Sequence, residues 1–237
     1  LRLSVIVPAY NEEDTIVEAI RRVLDAPIEI DLQGTVEPIE KEVIVVDDAS
    51  TDATLQRVRS IESANVIVLE HESNRGKGAA VRTALERATG DVVIIHDADL
   101  EYDPRDFQKI VEPIFSGRAD VVYGTRLREG RPSGMRLSNW LANRILRGLA
   151  NLLFRGQISD EATCYKALSR DLIVDLDLTC RRFEFCPEVT AKVLRRRIRI
   201  HEVPISYQPR GAGSGKKIGL RDAFQAAWTL VKYRFVK

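Results

Sequence analysis

The sequence predicts an α/β fold in which a mostly parallel sheet carries helices on both faces. Three observations predict it. Short apolar runs rich in β-branched residues recur at residues 3–7, 43–46, 66–69 and 91–95. Each is followed by a stretch with helical periodicity. The runs are apolar throughout instead of alternating, as strands covered on both faces are. With 237 residues, 44% hydrophobic and 30% charged, the chain is long enough to bury its own core and does not have the composition of a disordered or fibrous protein.

The elements follow in order. Residues 3–7 form a strand ending at Pro8, and Asn11 is placed to cap a helix over 12–24. Residues 43–46 run into Asp47 and Asp48, with a helix from about Thr51; residues 66–69 lead to a helix from about Lys77. Residues 91–95 lead through an acidic loop to a helix from about Pro104, where proline suits the first turn and Asp103 suits the cap. Val121 and Val122 give a fifth strand. After Gly124 the alternation stops: a long helix over 137–154, a strand-like piece over 164–168, a helix over 187–196 and a strand over 198–207. Residues 209–219 contain four glycines and read as a loop, and 220–235 as a last amphipathic helix. The chain is read as one domain, with a first part over 1–125 and a second over 126–237.

Charge and cysteine usage narrow the setting. The net charge of +1 hides an asymmetry: from Lys192 onward there are 12 basic and 2 acidic residues, a charge of +10, against −9 on everything before. Such a tail suits phosphates or an anionic membrane surface; no recognition motif accompanies it, so nucleic acid is not expected. Cys164, Cys180 and Cys186 are odd in number and form no C-x-x-C pair, which points to a reducing, cytoplasmic setting. No apolar run approaches the roughly 20 residues of a membrane span, and no secretory leader is expected.

In open parallel sheets ligands gather at the carboxyl ends of the strands. Three polar constellations fall there: Pro8-Ala9-Tyr10-Asn11-Glu12, Asp47-Asp48-Ala49-Ser50 and Asp97-Ala98-Asp99-Leu100-Glu101. Asp97, Asp99 and Glu101, spaced two apart after an apolar strand, are the carboxylates expected to converge on Mg²⁺ or Mn²⁺, leaving positions for phosphate oxygens. His71, His96 and His201 have no metal-like spacing and are read as structural. In N-R-G-K-G, residues 74–78, the spacing is not that of a Walker phosphate loop. Gly76 and Gly78 are read as permitting a tight turn, with Arg75 and Lys77 as weak site candidates.

The strings V-P-A-Y-N-E-E, V-V-D-D-A-S-T-D, N-R-G-K-G-A-A, D-A-D-L-E-Y-D-P, Y-G-T-R, T-C-Y-K, E-V-P-I-S-Y and G-K-K-I occur in that order along nearly the whole chain. Together they resemble glycosyltransferase family 2, the inverting GT-A fold, and within it the dolichol- or polyprenyl-phosphate sugar synthases. The resemblance implies that Pro8, Tyr10 and Glu12 hold the nucleoside and that Asp48 contacts the base. It further implies that Asp97, Ala98 and Asp99 bind nucleotide sugar and metal. Arg126 takes the place of an arginine on the acceptor phosphate, with Arg136 as a second. Arg210, Lys216 and Lys217 lie in a loop that closes over the nucleotide.

The implied catalytic residues are Asp99, Arg126 and Asp160, the last as general base if one is needed; the chain has Ala162 where many relatives have an acid. The implied reaction is metal-dependent transfer of a hexose to a polyprenyl or dolichyl phosphate, with GDP-mannose as first choice of donor. A UDP-sugar donor, a hydroxyl acceptor and a non-catalytic nucleotide-sugar-binding module are the alternatives. A lipid phosphate carries about −1.5 to −2 charge near neutral pH and is already a nucleophile, so it has less need of a base than a hydroxyl. The 137–154 helix, with Leu137, Trp140, Leu141, Ile145, Leu149, Leu152 and Leu153 largely on one side, reads either as a core helix or as one lying in a lipid interface. The second reading makes the protein peripheral to the cytoplasmic membrane face, with room for a membrane-embedded partner subunit.

Overall fold

The structure, a computed structural model, describes residues 1–32, 34–128, 130–209 and 219–236. Strands and helices are numbered in chain order. β1 (Arg2–Ala9) and β4 (Glu40–Asp47) pair in parallel along eight residues, with Ala9 opposite Asp47. β5 (Val66–Glu70) continues the sheet beyond β4, and β6 (Val92–Ile95) lies on the other side of β1; both are parallel to their neighbours. Val5, Ile6, Val7, Val43 to Val46 and Val92 to Ile95 are all buried, which is why these runs carry no polar alternation.

The second part of the chain re-enters the same sheet. β7 (Val121–Thr125) and β9 (His201–Pro204) are parallel neighbours, and β8 (Lys166–Ser169) runs antiparallel between β6 and β7. Among the described residues the order is β5-β4-β1-β6-β8-β7-β9. The expected mostly parallel sheet with helices on both faces is present, interrupted by this one reversed strand.

Helix starts are set by what the preceding loop does. α1 (Ile16–Asp25) begins later than the residue-12 start expected, because Asn11 adopts a left-handed φ of 53° and bonds across to Thr51 instead of capping. α2 (Thr54–Arg59) also starts late, since Asp52 accepts the backbone N–H groups of both Thr54 and Glu13. α3 (Lys77–Leu85) begins where expected. Pro104–Asp106 is a single 3₁₀ turn, capped by Asp103, that leads into α4 (Phe107–Phe115). α5 (Leu137–Phe154), α7 (Phe185–Arg195) and α8 (Leu220–Phe235) correspond to the later periodic segments, and α6 (Arg170–Asp175) is an unforeseen short helix. So is the hairpin of β2 (Glu29–Leu32) and β3 (Thr35–Pro38).

The main core fills both sides of the sheet; a smaller one joins Leu146 and Ala150 of α5, Ala191 of α7, and Ala226, Leu230 and Tyr233 of α8. Burying each large aliphatic side chain contributes about 1.5–3 kcal/mol, so the second cluster is enough to seat α8 against α5 and α7. Among the described residues no helix is long and apolar enough to cross a membrane.

Candidate active site

Because β4, β1 and β6 are parallel neighbours, their carboxyl ends share one rim. That rim carries the three polar constellations. Hydrogen bonds tie the first two together: Asn11 N–H donates to Ser50 Oγ (3.0 Å), Thr51 N–H to Asn11 Oδ1 (2.8 Å) and Glu12 N–H to Thr54 Oγ1 (2.8 Å). Ala49, like Asn11, holds a left-handed φ (59°), which turns the chain sharply after the strand. Pro8, Tyr10 and Glu12 are half-buried on this rim, and His96 N–H bonds Ile6 O (2.9 Å), which seats the start of Asp97-Ala98-Asp99 beside them.

Asp48 is held within the fold. It is buried, and its carboxylate accepts from Arg75 N (2.8 Å) and Gly76 N (2.7 Å) and bonds His71 Nδ1 (2.7 Å). It anchors the turn before α3, with both oxygens hydrogen-bonded within the protein. The next N–H groups, of Gly78 and Ala79, donate to Arg182 O and Arg181 O at 3.0 Å each. Three amides of the N-R-G-K-G turn, those of Arg75, Gly76 and Gly78, are thus taken up by the protein itself, which does not suit a phosphate loop. Its glycines serve close approach: a Cβ on Gly76, which has φ +93°, would lie 2.4 Å from Arg181 O.

Asp97 and Lys77 form a pair at 2.5 Å, with Lys77 also 3.7 Å from Cys164 Sγ. Burial opposes ionisation of Asp97, but the Lys77 ammonium outweighs it and holds the carboxyl below its usual range. His96 is buried against Tyr165 OH (3.0 Å), and burial lowers its pKa to about 4, which keeps the ring neutral. Asp99 Oδ1 accepts Glu101 N–H (3.1 Å), and Glu101 Oε2 accepts from Tyr207 OH (2.8 Å).

The structure therefore does not gather Asp97, Asp99 and Glu101 into one three-carboxylate site. Among the described residues no three His, Cys, Asp or Glu side chains meet as a metal-holding group. The reason is local: Asp97 turns to Lys77 and Glu101 to Tyr207. The half-buried carboxylates of Asp99 and Glu101 still fit Mg²⁺ or Mn²⁺ in its common arrangement, in which one or two carboxylates share the ion with substrate phosphates.

Arg126 follows β7 and Asp160 sits on the loop before β8. The Asp160 carboxylate accepts from Arg126 N (2.9 Å), Nε (2.8 Å) and NH2 (2.8 Å), and from Asn143 Nδ2 (2.6 Å). Its exposure is 0%. Burial resists its ionisation, yet the guanidinium holds the carboxyl below the usual aspartate range. A saturated, inaccessible, low-pKa carboxylate is a poor proton acceptor; in this geometry Asp160 holds the Arg126 guanidinium, which does not favour the general-base role. Arg126 NH1 also donates to Tyr102 OH (3.0 Å), and its guanidinium lies 5.0 Å from the Tyr207 ring centre. Arg126 borders an open cleft of about 290 Å³, lined also by Arg131, Ser133 and Tyr207. Arg136 is exposed at the start of α5. Arg210, Lys216 and Lys217 lie outside the described residues.

Asn143 and Glu184 escaped the sequence reading. Asn143 had no signal beyond being one polar residue on a helix. Asp47 Oδ1 and Glu184 Oε2 are buried without a hydrogen-bond partner. The doubled acid of Asp47-Asp48 flagged the first, and nothing flagged the second.

The architecture and its acidic, arginine-lined rim are those of the glycosyltransferase class of folds. Residues 4–176 match Glycosyl transferase family 2, and the chain belongs to that family. It is 30% identical over 99% of its length to the low-salt glycan biosynthesis hexosyltransferase Agl6 of Haloferax volcanii, of which it covers 53%. It is 28% identical to the dolichol-phosphate mannosyltransferase of Pyrococcus furiosus, over 92% of this chain and 60% of that protein. The chain thus spans a half to two thirds of these relatives. Its fold matches glucosyl-3-phosphoglycerate synthase from Mycobacterium tuberculosis in complex with Mn²⁺, UDP-glucose and phosphoglyceric acid, with a TM-score of 0.73, 22% identity, and coverage of 99% of this chain and 80% of that one. Relatives named for hexosyl, mannosyl and N-acetylglucosaminyl transfer all match, so the family is fixed without singling out a mannosyltransferase.

Proposed function

We propose that the protein transfers a hexose from a UDP-sugar to a polyprenyl phosphate, with inversion at the anomeric carbon and a divalent cation as cofactor. UDP-hexose replaces GDP-mannose as first choice: UDP or UDP-glucose is bound in the M. tuberculosis structures, and a Methanococcus voltae relative is named for UDP-N-acetylglucosamine and dolichyl phosphate. The observation that carries the acceptor class is the Arg126–Asp160 pair. With Asp160 committed to Arg126 and not placed to act as a base, the arrangement favours a nucleophile that arrives ionised, as a phosphate does near neutral pH.

In this reading Pro8, Tyr10 and Glu12 seat the nucleoside. Arg126, pre-oriented by Asp160 on its Nε and NH2 side and by Tyr102 on NH1, offers the remaining N–H groups of its two terminal nitrogens to the acceptor phosphate and aligns it for in-line attack. Asp99 with Glu101 would hold the divalent cation, which when bound would supply charge stabilisation to the departing diphosphate. Support for a membrane-facing side comes from α5 and α8. Leu137, Leu141 and Ile145 of α5 and Phe224, Trp228 and Phe235 of α8 are exposed, and α5 carries Arg144 and Arg147 with no acidic residue.

Incubating the protein and Mn²⁺ with radiolabelled UDP- and GDP-sugars and a polyprenyl phosphate tests the reading. Label should enter the organic phase from a UDP-hexose; label from no donor would defeat it. A hydroxyl acceptor is the second reading, favoured by the unpartnered Glu184 Oε2 as a base. It predicts that Glu184→Gln abolishes turnover, whereas the phosphate reading predicts that turnover persists.

A further inference from the structure

We propose that Asn143 is a positioning residue for Arg126, registering the acceptor-side arginine to helix α5; the inference rests on the reading of Arg126 as the acceptor-phosphate ligand. Asn143 is 3% exposed on a helix whose opposite face is open. Leu141 and Ile145 lie two residues to either side, about 200° around an α-helix, and both are exposed. The amide therefore points inward from the helix that shows its apolar stripe to the outside.

All three of its hydrogen bonds go to one tripeptide. Nδ2 donates to Asp160 Oδ1 (2.6 Å), and Oδ1 accepts the N–H groups of Glu161 (3.1 Å) and Ala162 (3.2 Å). A side-chain amide is the group that can donate to a carboxylate and accept from backbone at once. The same loop is gripped from the other side by Glu202, just inside β9, whose carboxylate accepts Ser159 N–H (2.8 Å) and Asp160 N–H (3.2 Å). Asp160 in turn fixes three N–H groups of Arg126.

The chain of contacts runs from α5 through Asn143 and Asp160 to the guanidinium. Glu202 sets where the loop's backbone lies; Asn143 alone also touches the carboxylate that aims Arg126. Moving α5 relative to the sheet would break the amide bonds first and turn the guanidinium with them. The helix that we read as facing lipid is thus also the one that aims the group meeting the lipid's phosphate.

Two variants of the full chain test this. Asn143→Asp keeps the shape and the backbone acceptor but sets a carboxylate against Asp160. Asn143→Leu removes all three bonds at similar volume. The substrate-free readout is the Arg126 Nε–H resonance, assigned by its loss in Arg126→Lys, whose exchange with water the Asp160 bond slows. In both variants we expect exchange to accelerate and the KM for polyprenyl phosphate to rise by about tenfold or more, while the UDP affinity by calorimetry stays within about twofold. An unchanged resonance with an unchanged acceptor KM in Asn143→Asp would overturn the proposal. So would equal losses of UDP and acceptor affinity, which would make Asn143 a general fold anchor. A wild-type protein that transfers sugar to no lipid phosphate would instead sink the functional reading, because the resonance needs no substrate.

Discussion

Replacing Asp160 by Asn separates an anchor from a base. Oδ2 accepts from Arg126 N and Nε, and Oδ1 from Arg126 NH2 and Asn143 Nδ2. Whichever oxygen becomes NH₂, two donors face a donor, so two hydrogen bonds are lost and a buried guanidinium is left without its counter-charge. Hydrogen bonds to charged groups are worth about 1.5–3 kcal/mol each, and removing one partner of a buried ion pair costs about 3–5 kcal/mol, so the two routes agree on a loss near 3–5 kcal/mol. With a urea slope of about 3 kcal/mol/M for a chain of this size, the unfolding midpoint should fall by about 1–1.7 M. Urea titration followed by circular dichroism reads this directly, and steady-state transfer should show the acceptor KM raised more than the donor KM. An unmoved midpoint together with turnover lost about a thousandfold would refute the argument, because it would make Asp160 a proton acceptor that the fold does not need.

Glu42 is buried and, although burial works against its ionisation, donors from Ser4, Thr89 and Gly90 hold its carboxyl below the usual range. That stability is complete above the unfolded value of about 4.3 and is lost as pH falls through the folded one; urea midpoints should therefore drop in acid, and Glu42→Gln should flatten the drop. Asp99→Asn should weaken UDP binding in the presence of Mn²⁺ while leaving binding in EDTA unchanged, as titration calorimetry would show. Gly78→Ala places a Cβ 2.9 Å from Cys180 Sγ and 3.0 Å from Arg182 O. Such overpacking costs about 1–3 kcal/mol, lowering the melting temperature by about 2–4 °C for each kcal/mol. Leu141→Asp with Trp228→Asp should abolish flotation with anionic vesicles at low salt; if both proteins float alike, the α5 and α8 face is not the contact.

The parts of this fold that were legible are those whose pattern is local. β1, β4 and β6 hold continuous apolar runs because both their faces are covered, the edge strand β5 is a similar run that is half-buried, and α5 and α8 keep a helical period over 18 and 16 residues. The late starts of α1 and α2 were hidden because Asn11 and Asp52 serve a neighbouring loop in place of their own helix. β8 could be placed as a strand-like piece but not oriented, since its direction depends on pairing with residues over forty positions away. In the site, the rim was readable from residue types at strand ends. The commitments of Asp48 to the 75–76 amides, Asp97 to Lys77 and Asp160 to Arg126 were not, because they join segments far apart in sequence.

The reversed strand Lys166–Ser169 also limits how such enzymes can be recombined. A graft that exchanged everything after residue 125 would replace a rung in the middle of the sheet and put the flank of β6 against a foreign strand. New acceptor preferences are therefore best traded in the stretch between β7 and β8, or beyond β9, where no ladder is cut. Chimeras joined there should remain soluble, while those joined at the midpoint of the chain should aggregate.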